Sequence, residues 1–237
     1  IVIGGTTLPV SIAMAFSKKF GLAIAEGYGL SEASPVVAVN PPGKERIGSI
    51  GKLLSGIEAR IVDAGGNNVQ IGETGELLIR GDNVMQGYWN LPEATNETII
   101  DGWLHTGDIA RQDSDGYFYI VDRIKDMIIS MGENVYPREI EELIYNYPGI
   151  SEAAVIGITD RLRGQAGCCF FSVHEGQCVD RRALKKYLQQ KLALYKVPRE
   201  FYELSELPKT STGKISKLEL GKLYRDGNSQ LEESCCQ

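Results

Sequence analysis

The sequence predicts three segments in succession: an α/β piece, a β-rich barrel or sandwich, and a small α+β domain. Three observations predict this. Over residues 1–45 short apolar runs alternate with a helix-spaced pattern. Over 46–124 helix signals almost vanish and short strand-like runs alternate with Gly and Asp turns. Over 125–225 helical periodicity returns between strongly apolar strands. The last residues, 226–237, are polar and are expected to be disordered.

In the first segment Ile1 opens a strand that runs into a Gly4-Gly5 turn. Ile12, Ala15, Phe16 and Phe20 then fall at helical spacing between Val10 and Phe20, and LAIAEGYG reads as the next strand. Sheets of this kind place ligands on loops at the carboxyl ends of their strands, where GGTT and YGLSEASP both lie. In the second segment EARIVD, GELLIRG and GYFYIVD read as strands, and Asp113-Ser114-Asp115-Gly116 as a hairpin turn. The last lacks the further ligand positions and closing Glu of a calcium loop.

The stretch from Tyr119 to Glu142 joins the second segment to the third. Asp122, Arg123, Lys125 and Asp126 interrupt its apolar residues in a way no strand interior would choose, so it reads as strand, charged joint, short strand, Gly132-Glu133-Asn134 turn and helix. Pro137 suits the first helical position, where its missing N–H costs nothing. Ile140, Leu143, Ile144 and Tyr147 form the buried stripe of that helix, with Arg138, Glu139, Glu141 and Glu142 expected in solvent. Strands SEAAVIGIT and AGCCFFSV follow, then a helix capped by Asp180 with Leu184, Tyr187, Leu188 and Leu192 inward, a strand from Phe201 to Leu204, a loop from Pro208 to Gly213, and a helix from Ser216 to Tyr224.

Charge is unevenly spread. Residues 1–121 carry 8 basic and 14 acidic side chains, and residues 122–225 carry 17 and 14. A mixed net of +3 is too weak for a nucleic-acid platform but suits a lobe that meets a phosphate-bearing small molecule. No run approaches the roughly 18 apolar residues of a membrane span. The opening IVIGGTTLPV lacks the basic region of a secretory leader and reads as a strand cut from a longer chain. Five cysteines without CxxC spacing, and two histidines, argue against zinc. Cys168 and Cys169 read as buried strand residues in a reducing compartment, which makes the cytoplasm the expected location.

Four clusters could carry chemistry. Tyr28-Gly29-Leu30-Ser31-Glu32 offers an aromatic face, a glycine for close backbone approach, a hydroxyl for a phosphate oxygen and a carboxylate for Mg2+, or simply a turn capped by Ser31. Asp108, in His105-Thr106-Gly107-Asp108, can accept bonds from a ribose diol, or is an ordinary turn aspartate. Arg123 can fork onto ribose or phosphate oxygens and Lys125 is a flexible point charge, in what is otherwise a solvated loop. Pro208-Lys209-Thr210-Ser211-Thr212-Gly213-Lys214 ends like a phosphate loop, but Pro208 and Ile215 occupy positions where that motif needs Gly and Ser or Thr. It leaves a loop with Lys214 at its tip.

Taken in order, GGTTLP, YGLSE, GWLHTGD, DRIKDMI, SMGENVYPREIE and LPKTSTGK closely resemble the motifs of the adenylate-forming superfamily, most of all fatty acyl-CoA synthetases and related acid:CoA ligases. The resemblance runs from Ile1 to about Tyr224. It implies a ligase that joins a carboxylic acid to CoA through an acyl-adenylate, with ATP, Mg2+ and CoA as partners. It assigns Ser31 to phosphate and Glu32 to Mg2+, and puts Tyr28 against adenine with Gly5 and Thr6 nearby. Asp108 and Arg123 would hold ribose, and Lys214 the carboxylate and α-phosphate oxygens. Lys125 would be a hinge, and the Gly132, Glu133, Asn134 loop would face CoA. By the same resemblance the first two segments are the remainder of a large domain and the third is a mobile carboxyl-terminal domain. The Ser/Thr/Gly-rich phosphate loop of the family, ending near Pro-Lys-Gly, has no counterpart in these residues, so the chain alone is expected not to adenylate. An adenylation module of a peptide synthetase and a non-catalytic binding remnant are the alternative readings.

Overall fold

A computed structural model describes residues 1–5 and 8–227. The tail from residue 228 on, expected to be disordered, lies outside the described residues. The described residues are mixed α/β with three sheets, and the chain divides into two units, Ile1–Lys125 and from Asp126 onward.

The first unit begins with β1 (Val2–Ile3), α1 (Val10–Phe20) and β2 (Ala25–Gly29), followed by a 3-10 turn (Ser31–Ala33), β3 (Val36–Val39) and β4 (Lys52–Leu53). These strands form a four-stranded sheet in the order β1-β2-β3-β4, with β1 parallel to β2 and the other pairs antiparallel. Helix α1 matches the spacing that predicted it and ends where Gly21 turns left-handed at φ 66°. Only Ala13 of the helix is buried, while Ile12, Met14 and Phe20 are exposed.

The rest of the unit contains β5 (Ile57–Val62), β6 (Gly75–Gly81), α2 (Pro92–Thr98), β7 (Ile99–Ile100), β8 (Trp103–Gln112) and β9 (Phe118–Arg123). All the pairings are antiparallel, in the order β5-β6-β8-β7 with β9 also on β8. The Asp113–Gly116 segment is the β8–β9 hairpin turn, in which the Asp113 carboxylate accepts from the N–H groups of Asp115 and Tyr117. Two features depart from expectation. Helix α2 lies in the segment expected to lack helices; its sequence, PEATNET, has no apolar stripe and none of its residues is buried. His105 to Asp108 belongs to the long strand β8 and not to a turn, because Gly107 is accommodated there as an irregularity at φ 68°.

The second unit carries a 3-10 turn (Ile124–Asp126), β10 (Ile128–Ser130), β11 (Glu133–Val135), α3 (Pro137–Tyr145), β12 (Ile150–Asp160), β13 (Gly164–Val173), α4 (Arg181–Gln189), β14 (Glu200–Glu203) and α5 (Lys217–Arg225). Its sheet runs β11-β10-β13-β12, with β14 parallel to β13. The continuous apolar run CCFF follows from burial on both faces. Cys169 and Phe171 pack with Ile140, Ile144, Leu184 and Leu188 of α3 and α4. Cys168 and Phe170 point the other way, against Leu207 and Leu220. Asp180 caps α4 by accepting from Arg182 N–H, as its sequence position predicts.

Two expectations in this unit need correction. The turn after β10 is at Met131-Gly132, with φ 57° and 84°, and Glu133 and Asn134 lie in β11, paired with Ser130 and Ile129. Glu141 does not face solvent: its Oε1 accepts from Val155 N–H at 2.8 Å and pairs with Lys217 Nζ at 2.8 Å. A helix-surface pattern cannot show that a sheet edge and a later helix supply partners for that carboxylate.

Candidate functional site

Three of the candidate residues converge in the first unit. Asp108 in the middle of β8 stands opposite Arg123 at the end of β9, and Tyr28 comes from the end of β2. The Tyr28 hydroxyl donates to Asp108 Oδ2 at 2.5 Å, and Arg123 Nε lies 2.9 Å from Asp108 Oδ1. Burial, reinforced by the negative Asp108, pushes the Tyr28 phenol well above its ordinary range, so the tyrosine is a fixed donor. An ionised carboxylate offers about four acceptor positions. One is used by the Tyr28 hydroxyl and the other oxygen is ion-paired with Arg123, which leaves capacity for two hydroxyls of a sugar diol.

Irregular strand geometry aims Asp108. The β6–β8 register shifts between Glu76 and Leu78, and the β8–β9 register shifts beside Ile109. Such irregularities redirect side chains out of the strict alternation of a strand. Thr106 Oγ1 donates to Leu77 O at 2.7 Å and accepts from Asp108 N–H at 3.1 Å. Glu76 bridges His105 Nδ1 at 3.0 Å and Gly107 N–H at 3.3 Å.

Glu32 and Ser31 sit on the 3-10 turn after β2. The cap of this turn is Leu30, without a side-chain bond, so Ser31 does not cap it; its side chain is exposed. Gly29 permits the sharp reversal, since a Cβ there would fall 2.0 Å from Pro35 O. Glu32 Oε1 accepts from the Tyr88 hydroxyl at 2.8 Å, and Glu32 O accepts from Met85 N–H at 2.7 Å. Asn83 donates to Ala33 O at 2.7 Å. Tyr88 and Asn83 are absent from the sequence-based candidates; the only signal was a polar and aromatic loop, NVMQGYWN, after a strand. Gly5 lies at the carboxyl end of β1, and the parallel β1–β2 register brings that end alongside the Gly27-Tyr28 end of β2. Thr6 lies outside the described residues.

In the second unit Lys214 is carried by a small hairpin. Thr210 N–H donates to Lys214 O at 2.7 Å, Gly213 N–H to Thr210 O at 2.9 Å, and Lys209 pairs with Ile215 across the stem. Gly132, Glu133 and Asn134 are all exposed. A recess of about 270 Å³ is lined by Arg163, Lys185, Leu194, Pro198 and Arg199 among others. Of the four charges at the joint, Asp122 is buried and accepts from Arg123 N–H at 2.8 Å, whereas Lys125 is exposed and is the last residue of the first unit.

Comparison with known proteins follows this division. Residues 1–89 match the family model described as AMP-binding enzyme, and residues 139–214 match AMP-binding enzyme C-terminal domain. The chain belongs to the adenylate-forming superfamily.

Superfamily relatives include a feruloyl-CoA synthase from Amycolatopsis sp., 43% identical over 223 residues that cover 93% of this chain and 45% of that protein. A long-chain-fatty-acid–CoA ligase from Bacillus subtilis (strain 168) is 43% identical over 92% of this chain and 39% of its own length. Among solved structures, ATP-bound MatB from Rhodopseudomonas palustris aligns with a TM-score of 0.91 at 33% identity, over 95% of this chain and 45% of that one. The chain therefore spans less than half the length of the curated relatives it matches. Among the described residues no helix is long and apolar enough to cross a membrane.

Proposed function

We propose that these residues serve an ATP-dependent acid:CoA ligase that forms an acyl-adenylate and then an acyl-CoA thioester. The observation that carries the proposal is the Tyr28–Asp108–Arg123 cluster, a buried carboxylate held by one hydrogen bond and one ion pair and still able to accept from a ribose diol, in a superfamily member whose relatives are named as CoA ligases. In the first half-reaction a substrate carboxylate oxygen attacks the α-phosphorus of ATP and pyrophosphate leaves. In the second the CoA sulfur attacks the acyl carbon and AMP leaves.

The roles are those that the motif resemblance assigns, and the chemistry of each side chain supports them. Asp108 and Arg123 hold the ribose and the Tyr28 ring faces the adenine, with Gly5 at the adjoining strand end; Thr6 is assigned to the nucleotide by the motif resemblance alone. Ser31 meets a phosphate oxygen. Mg2+ fits Glu32, because this ion is usually held by one or two carboxylates plus substrate phosphates, and only one Glu32 oxygen is used by Tyr88. The described residues contain no group of three or more His, Cys, Asp or Glu that would cage a metal alone. When bound, the ion would neutralise phosphate charge. Lys214 supplies a mobile positive charge for the oxygens that become more negative during adenylation.

The first unit is then the end of an α/β subdomain plus a barrel-like subdomain, and the second is a mobile α+β domain. Lys125 is the pivot that lets the second unit present a different face in each half-reaction. The Gly132, Glu133, Asn134 segment serves the CoA step, and the recess with Arg163, Lys185 and Arg199 suits a phosphate-bearing thiol substrate. A fatty acid is the proposed acid, with the cytoplasm as the compartment. Acid-dependent exchange of label between pyrophosphate and ATP, measured in the intact enzyme with acids of graded chain length, tests the reading. Exchange that is absent with every acid would refute it, and a maximum at short aromatic acids would refute the fatty-acid assignment alone.

A further inference from the structure

Lys214 stands on a hairpin whose two ends are anchored differently. After the hairpin, Ser216 N–H donates to Pro208 O at 2.8 Å, and Ser216 Oγ then accepts from Glu219 N–H at 3.3 Å, locking the exit onto α5, where Leu220 is fully buried. Before it, Leu207 is buried at 1% exposure. Between that anchor and the tip the entering strand has one side chain that reaches back to the sheet. Lys209 Nζ lies 2.9 Å from Glu152 Oε1 on β12 and 3.7 Å from Glu206 Oε1. Glu152 is placed for this by the irregularity between Ile150 and Glu152 in the β12–β13 register. Both side chains are partly covered, at 35% and 28% exposure, and the neighbouring Glu152 raises the affinity of Lys209 for its proton.

Among the described residues the tip itself is tied by short-range bonds: the two backbone bonds of the hairpin, Lys214 N–H to Thr210 Oγ1 at 3.3 Å, and the Thr210 Oγ1–Thr212 Oγ1 contact at 2.9 Å. These fix the shape of the hairpin but not its inclination to the sheet. We propose that Lys209 is a positioning residue: its ion pair with Glu152 sets the inclination of the hairpin and so the place at which the Lys214 ammonium is presented during adenylation. The inference rests on the assignment of Lys214 to that half-reaction. A surface ion pair of this kind adds little to folding, so its removal leaves the second unit folded. A displacement of about 1 Å in a reacting group nonetheless costs on the order of 100-fold in rate.

The test is made in the intact enzyme with Lys209→Met, Glu152→Gln, the double variant and Lys209→Arg. Pyrophosphate release from acid and ATP reads adenylation, and acyl-CoA formation from supplied acyl-adenylate reads the second half-reaction. Either single change is expected to slow adenylation by about tenfold or more. The double variant should lose no more than either single one, because both remove the same contact. Lys209→Arg should keep most of the rate, and thioester formation should stay within about twofold of the parent on the same reasoning. Equal losses in both half-reactions, multiplied losses in the double variant, or no loss in the single variants would overturn the positioning role. Lys214→Ala measured alongside separates the two claims. If it abolishes adenylation while Lys209→Met does not affect it, the anchor alone is refuted; if it leaves adenylation intact, the assignment of Lys214 fails and the anchor with it.

Discussion

Removing the Tyr28 hydroxyl isolates the contact on which the proposed nucleotide site depends. Tyr28→Phe keeps the ring but deletes the donor 2.5 Å from Asp108 Oδ2. A hydrogen bond to a charged acceptor contributes about 1.5–3 kcal/mol when partly buried. The Arg123–Asp108 pair contributes less, about 0–1 kcal/mol, because half of the arginine side chain is in solvent. Tyr28→Phe is therefore expected to destabilise the first unit by about 1.5–2 kcal/mol, a fall of roughly 5–8 °C in its melting temperature.

Both tryptophans, Trp89 and Trp103, lie in the first unit, so indole fluorescence in a urea titration reports that unit alone. A double-mutant cycle with Asp108→Asn should give a coupling of about 1–2 kcal/mol. Coupling below about 0.5 kcal/mol, the usual error of additivity, would refute the claim that Tyr28 and Asp108 act as one unit. The sign of the alkaline behaviour follows from the same contact. The folded phenol is held protonated above its ordinary value of 10.0, so its stabilisation is complete below that pH and is lost as pH rises further. Tyr28→Phe should flatten the alkaline limb of the fluorescence-detected stability curve, and an unchanged limb would count against the raised pKa.

Other consequences can be checked independently. Cys168 and Cys169 are buried with their thiols pushed up by desolvation, so at pH 8 mass-mapped alkylation should modify them only in denaturant; labelling in the native protein would contradict their burial. Residues 10–20, with Ala13 alone buried in α1, should exchange amide hydrogens faster than β12 and β13, and equal protection would show that the helix is better anchored than its contacts indicate. The 237 residues on their own should form no acyl-CoA from acid, ATP and CoA, because they contain no Ser/Thr/Gly-rich phosphate loop; turnover by this chain would overturn that view.

Elements with a strong period were legible in the sequence. Helix α3 follows from Ile140 and Ile144, and β13 from a run of apolar residues that packs on both faces. Elements whose stability comes from elsewhere were not. Helix α2 buries nothing of its own, and β8 hides behind a polar His105-Thr106-Gly107-Asp108 sequence whose geometry depends on Glu76 and Leu77 of another strand. The candidate residues Tyr28, Asp108 and Arg123 could be named from their chemistry and from the motif resemblance. That one carboxylate meets both side chains could not, since the residues are separated by 80 and 15 positions and their meeting depends on strand register. The same limit hid Tyr88 behind Glu32 and Glu152 behind Lys209: local pattern shows which face a residue occupies, and only tertiary structure shows its partner across that face.

The division of labour between the half-reactions is the central claim, and Lys214→Ala tests it most directly. Adenylation, measured as pyrophosphate release in the intact enzyme, should fall by at least about 100-fold, as expected for loss of a preorganised charge at the reacting oxygens. Conversion of supplied acyl-adenylate and CoA to thioester should stay within about threefold of the parent if Lys214 is withdrawn from that step. Comparable losses in both half-reactions would contradict the account.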